Sequence, residues 1–207
     1  MKNNRFISEK IYLFTLFVWV VVASLVTTTY FVRLDGFLLF YRILLYCTIL
    51  LLLIKELINF SKTLHYFRFH WKQLLIVLVF FIVMSIVSKN RDGILNINVL
   101  FLVFSARDID FRKLLGTFSV ATFLVLCLTI YASQKGIITN MFMSADGGYR
   151  YSLGFNYVSF ASQRMFFALC SYLMFRGKKI SYMELLALFL ATIYMHQQTS
   201  TSSPFYL

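Results

Sequence analysis

Three arginines stand where the sequence is otherwise apolar or glycine-rich: Arg42, Arg150 and Arg164. Arg42 lies about five residues inside one apolar run and Arg164 about seven inside another, depths of roughly 8–10 Å along a helix. A snorkelling side chain covers that distance, which is the plainer account of each. The sharper account brings the three guanidiniums to one level at the membrane surface. There they would grip an anionic headgroup, a diphosphate above all, because arginine meets phosphate with two parallel N–H donors. Gly147, Gly148 and Gly154 bracket Arg150 in "SADGGYRYSLGFN" and allow a close backbone approach to a ligand. Asn156 reads as the N-cap of the helix that follows, whose free N–H groups attract anions. An ordinary flexible loop before a capped helix has the same composition.

Other reactive types are sparse. His196, in "YMHQQTSTSS", is a candidate base or the mark of a helix leaving the membrane; His65 and His70 lie among basic residues and read as interfacial. Asp146 in its glycine-rich turn reads as turn chemistry. Carboxylate pairs, HExxH, a phosphate-binding glycine loop and metal-ligand spacings are all missing, so no metal or other cofactor is expected. Cys47, Cys127 and Cys170 sit inside apolar runs and read as packing residues.

The elements that must position these residues follow from composition. Of 207 residues, 60% are apolar and only 14% charged, against about 25% in ordinary soluble domains. Several apolar runs approach the roughly 20 residues a spanning helix needs. Backbone in lipid must satisfy its own hydrogen bonds, so the expected fold is all-α, a polytopic transmembrane helical bundle forming one integral-membrane domain over 1–207. A β-barrel would show short alternating segments instead. About seven spans are expected, at 11–32, 37–58, 72–88, 94–106, 115–133, 157–175 and 181–198. "MKNNRFISEK" precedes an apolar run too long for a signal peptide, so the first span reads as uncleaved.

Charge sets the orientation. The net charge of +12 comes from short clusters between apolar runs, a topology signal that argues against a nucleic-acid partner. One set of alternate loops holds thirteen cations, from Lys2, Arg5 and Lys10 through Lys55, Lys62, Arg68, Lys72, Arg107, Arg112 and Lys113 to Arg176, Lys178 and Lys179. The other holds five: Arg33, Lys89, Arg91, Lys135 and Arg150. The richer set is expected in the cytoplasm, which puts the N-terminus inside and the 134–156 loop outside. The run "ILNINVLFLVF" is short and carries two asparagines. A re-entrant hairpin there would invert everything downstream, but the charge bias favours a true span in a thinned bilayer.

"RYSLGFNYVSFASQRMFF", Arg150 to Phe167, resembles a segment of the O-antigen and capsular polysaccharide repeat-unit polymerases, in the O-antigen ligase superfamily. Arg150, Gly154, Phe155 and Asn156 fit that segment; the His-Pro-Asn-like triplet of the family reads Tyr157, Val158, Ser159 here. "YMHQQTSTSSPF" is similar to the next family segment, a helix running into a Thr/Ser-rich turn, although the arginine usual there is absent. The resemblance covers mainly the second half of the chain. It implies a multi-pass protein of the bacterial plasma membrane that transfers a glycan from undecaprenyl diphosphate to a hydroxyl of another lipid-linked repeat unit. Such chemistry needs positive charge at the departing diphosphate and a base for the acceptor hydroxyl. The resemblance thereby implies diphosphate binding by Arg150 and Arg164, with Arg42 a third contact; it identifies no base, and His196 is the candidate. The implied partners are the lipid bilayer, the undecaprenyl-diphosphate-linked oligosaccharide and other polysaccharide-export membrane proteins. Family members carry further spans and a second outer loop, so the chain reads as the front part of a polymerase, whether truncated, frameshifted or split. Two rivals are a transporter or flippase-type subunit and a non-catalytic membrane remnant. Transport sites lie near the midplane among broken helices, whereas these arginines lie toward one face and Pro204 is the only proline.

Overall fold

Long apolar runs become helices, because a helix alone satisfies its backbone within one segment. The computed structural model describes residues 2–32, 37–60, 71–87, 93–145 and 148–200. Its helices are α1 (Lys2–Leu25), α2 (Thr29–Val32), α3 (Phe37–Ile58), α4 (Trp71–Val87), α5 (Gly93–Ser105), α6 (Phe111–Gln134), α7 (Val158–Arg176) and α8 (Tyr182–Thr199). An antiparallel pair, β1 (Phe142–Ala145) and β2 (Gly148–Tyr151), adds a hairpin to the expected all-helical fold. Among the described residues, two helical stretches are long and apolar enough to cross a membrane: Phe6–Leu25, of mean hydropathy 1.8, and Phe111–Gln134, of mean hydropathy 2.1. At 17 and 13 residues, α4 and α5 are shorter than the roughly 20 of a full crossing.

The first expected span is two helices rather than one. Thr27 and Thr28 donate their hydroxyls to the Ser24 and Leu25 carbonyls, both at 2.7 Å, and so compete with the helix's own ladder. The chain turns there before α2.

The chain forms two compact units. The first comprises Met1–Trp19 and Leu38–Asp110. Buried polar contacts tie its helices together. The Tyr12 hydroxyl donates to the Leu102 carbonyl at 3.1 Å. Asn98 donates to the Leu45 carbonyl at 3.1 Å and accepts from the Thr48 hydroxyl at 2.5 Å. An asparagine of the short apolar run thus helps fasten α5 to α3.

The second unit comprises Val20–Phe37 and Phe111–Leu207. Small residues meet where α6 packs on α7: the Ser119 hydroxyl donates to the Ala168 carbonyl at 3.3 Å. Small side chains let helix backbones approach closely. Gly116 shows how close: an added Cβ would stand 2.9 Å from the Phe175 ring. Ser181 caps α8 in a reciprocal box with Glu184, and Glu184 also accepts two hydrogen bonds from Arg176, at 2.6 and 3.1 Å. One carboxylate therefore holds the turn between α7 and α8.

Candidate functional site

The site expected around Arg150 lies in the second unit, where the 137–157 segment meets the residues that follow α1. Its scaffold is built by two apolar side chains. Leu153 and Phe155 are fully buried with Leu126, Ala161, Met165, Leu169 and Met195, so the Gly-Phe pair anchors the loop in the helical core. Full burial of such a side chain is worth about 1.5–3 kcal/mol relative to water. Gly154 lies between them at φ +87°, and an added Cβ would stand 2.5 Å from Ile138 Cδ1. The loop needs glycine there both for its left-handed backbone and for want of space.

The threonine turn docks on this anchor. The Thr29 N–H donates to the Gly154 carbonyl at 2.9 Å and the Asn156 N–H to the Thr27 carbonyl at 2.9 Å. The Thr29 hydroxyl donates to the Thr139 carbonyl at 2.9 Å. At the base of the hairpin the Ser152 N–H donates to the Met141 carbonyl at 2.8 Å, and the Leu153 N–H to Asn140 Oδ1 at 2.9 Å. The hairpin projects from this frame, with Phe142 opposite Tyr151 and Met143 opposite Arg150. Phe142, Met143, Tyr149 and Tyr151 are exposed, and Phe142 and Tyr149 meet edge to face at 5.6 Å.

The expected residues fall into different settings. Arg150 is exposed on β2, and no described residue engages its guanidinium. Arg164, in the second turn of α7, is partly buried. It donates to Ser24 Oγ at 2.6 Å, Thr27 Oγ1 at 3.0 Å and the Ala23 carbonyl at 3.4 Å, with its guanidinium 6.0 Å from the centre of the Phe155 ring. Arg42 is exposed on α3, in the first unit. His196 is partly buried in the last turns of α8, where its carbonyl accepts the Ser200 N–H at 2.8 Å. Asn156 is not the N-cap: α7 is preceded by Tyr157, whose side chain makes no capping bond, and the Asn156 N–H is committed to Thr27. Gly148 opens β2 opposite Ala145. Gly147 lies outside the described residues, as do Asp146, His65, His70 and the stretch 201–207.

One charged group escaped the sequence reading. Lys55 is fully buried at the end of α3, donating to Glu56 Oε1 and to the Ser105 carbonyl, both at 2.8 Å. Arg107 pairs with the other oxygen of Glu56. Nearby, Ser8, Asn59, Arg107, Asp108 and Asp110 line a cleft of about 480 Å³. The signal was the Lys55-Glu56 dipeptide at the end of an apolar run, a carboxylate where the surrounding loops carry mainly cations.

Among the described residues no cluster of histidine, cysteine or carboxylate is arranged to hold a metal ion. No family model, characterised protein or solved structure matches the chain.

Proposed function

We propose that this chain belongs to a membrane polymerase of lipid-linked surface polysaccharide, of the O-antigen and capsular repeat-unit type, and contributes the grip on the lipid diphosphate. On this reading it crosses the bacterial plasma membrane about seven times, with its N-terminus inside and the hairpin at the outer leaflet. The observation that carries the proposal is the pairing of an unengaged, exposed Arg150 with a hairpin base pinned by Leu153 and Phe155. A guanidinium on a fixed frame suits a diphosphate, because the position of the charge is set before the ligand arrives.

Arg150 then holds the departing diphosphate in bidentate fashion. Arg164, committed to Ser24, Ala23 and Thr27, positions the frame. His196 is the base that takes the acceptor proton. The exposed Phe142, Tyr149 and Tyr151 suit the membrane interface beside a lipid-linked sugar.

The test is Arg150→Lys against Arg150→Ala, read as surface-polymer chain length at equal membrane abundance. A charged contact of this kind is worth roughly 1.5–3 kcal/mol. Loss of it lowers turnover about ten- to a hundredfold, and lysine, which lacks the two-pronged contact, does not restore it. Wild-type chain length in both variants removes Arg150 from the reading.

A second reading, a transporter or flippase-type subunit, draws on the buried Lys55 of α3, since buried charges mark ion and substrate pathways. Solute flux in proteoliposomes that Lys55→Met abolishes would favour it over glycosyl transfer.

A further inference from the structure

The opposite ends of α6 and α7 from the hairpin hold a second concentration of charge. Arg112 lies in the first turn of α6, Arg176 ends α7, and Lys178 and Lys179 occupy the 3-10 turn that follows. These four cations line a cleft of about 390 Å³ within the second unit, together with apolar side chains that include Leu115 and Met174.

The cations are not equivalent. Arg112 donates to the Phe175 and Arg176 carbonyls at 2.7 and 3.3 Å, which closes the C-terminal end of α7. Arg176 is held by both oxygens of Glu184. These two keep their charge while their donors serve the fold. Lys178 and Lys179 are exposed, and no described residue engages either ammonium. Glu184 engages Arg176 and, among the described residues, leaves the two lysines unanswered.

We infer that this cleft binds the headgroup of an anionic glycerophospholipid, with Lys178 and Lys179 taking the phosphate and the apolar lining receiving the start of an acyl chain. Two observations select a lipid. The cleft opens at the end of a helix long and apolar enough to cross a membrane, and a crossing by that helix would set it beside phospholipid headgroups. Its lining also includes apolar side chains, Leu115 and Met174 among them, which suit an acyl chain and which a bare phosphate does not need. Basic clefts between membrane helices at an anionic leaflet are suited to such headgroups. The inference rests on the membrane crossing of α6 and is independent of glycosyl transfer.

The experiment uses the full chain purified in detergent and exposed to mixed phosphatidylglycerol and phosphatidylcholine, with retained lipid read by native mass spectrometry. Preferential retention of phosphatidylglycerol is expected. The K178A/K179A double variant should weaken it by at least about tenfold, because each lysine near an anionic surface is worth about a factor of five. Lys178→Arg with Lys179→Arg should restore it. The variants leave Arg112, Arg176 and Glu184 in place, and an unchanged thermal midpoint confirms that they fold. Equal retention of the two lipids, or undiminished preference in the folded double-alanine variant, overturns the inference. An inorganic phosphate arm separates the two sources of phosphate: displacement of the lipid by phosphate at modest concentration overturns the lipid assignment, and persistence of the lipid supports it.

Discussion

The Arg164 guanidinium donates to the Ser24 hydroxyl at 2.6 Å, joining the second turn of α7 to the last turn of α1. Two more of its donors reach Thr27 and the Ala23 carbonyl. Arg164→Ala removes all three bonds, and each hydrogen bond to a charged group is worth about 1.5–3 kcal/mol. Arg164→Lys keeps the charge but not the fork, and belongs between wild type and alanine. Thermal midpoints in detergent give the order. Equal midpoints for wild type and Arg164→Ala would remove the positioning role.

Gly154 and Gly136 form a matched pair. Both have positive φ, +87° and +71°, but a Cβ at Gly136 meets open space whereas one at Gly154 meets Ile138 and Thr129 at 2.5 and 3.1 Å. Gly136→Ala carries only the backbone penalty, about 1–2 kcal/mol. Gly154→Ala adds a clash in the core and should cost about 1–3 kcal/mol more. Proteolytic nicking of the 137–157 segment is the sensitive readout, and similar nicking of the two variants would count against the packed loop.

The Lys55, Glu56 and Arg107 group predicts non-additivity. Lys55→Met strips the partly buried Glu56 carboxylate of one cation, and Glu56→Gln strips two cations, the fully buried Lys55 among them, of their anion. Removing one partner of a buried pair is harsher than removing both. The double variant should therefore be more stable than the two single losses combined, by about 0.5–3 kcal/mol in a double-mutant cycle. Strict additivity would mean that the three charges do not act on one another.

The orientation proposed for the hairpin is open to labelling. In a chain whose Cys47, Cys127 and Cys170 have been replaced by serine, single cysteines at Thr139 or Ser144 should react with an impermeant maleimide in intact cells. Reaction only after lysis would place the hairpin, and Arg150 with it, on the cytoplasmic side.

Hydrophobic run length placed most helices within a few residues: 37–58 became α3 with the same bounds, and 181–198 became α8, Tyr182–Thr199. The departures have local causes. Run length cannot register that two successive threonines, Thr27 and Thr28, divert hydroxyls to the helix carbonyls, so the break after Leu25 went unread. The hairpin did have a signal, Asp146-Gly147 between aromatic and aliphatic residues, a pair that favours two-residue connections. Read as ligand-closing flexibility, the glycines concealed it. Asn156 has the chemistry of a cap, but its backbone N–H is taken by Thr27, a residue of a distant segment. Lys55 looked like a loop cation because burial is not a property of sequence. At the site, the Arg150 to Asn156 stretch was legible as special. That its Gly-Phe pair serves as a core anchor emerges only when α6, α7 and α8 close around it.

The docking of the threonine turn also dictates an order of manufacture. Thr29 bonds to groups 110 and 125 residues further along the chain, and Ser24 to one 140 residues further along. At roughly 5–20 residues per second, a ribosome needs on the order of ten seconds to supply them. Through that interval the Thr29 amide and hydroxyl and the Ser24 hydroxyl have yet to meet these partners. The newborn segment must therefore leave those groups to water until the last third of the chain arrives to receive them.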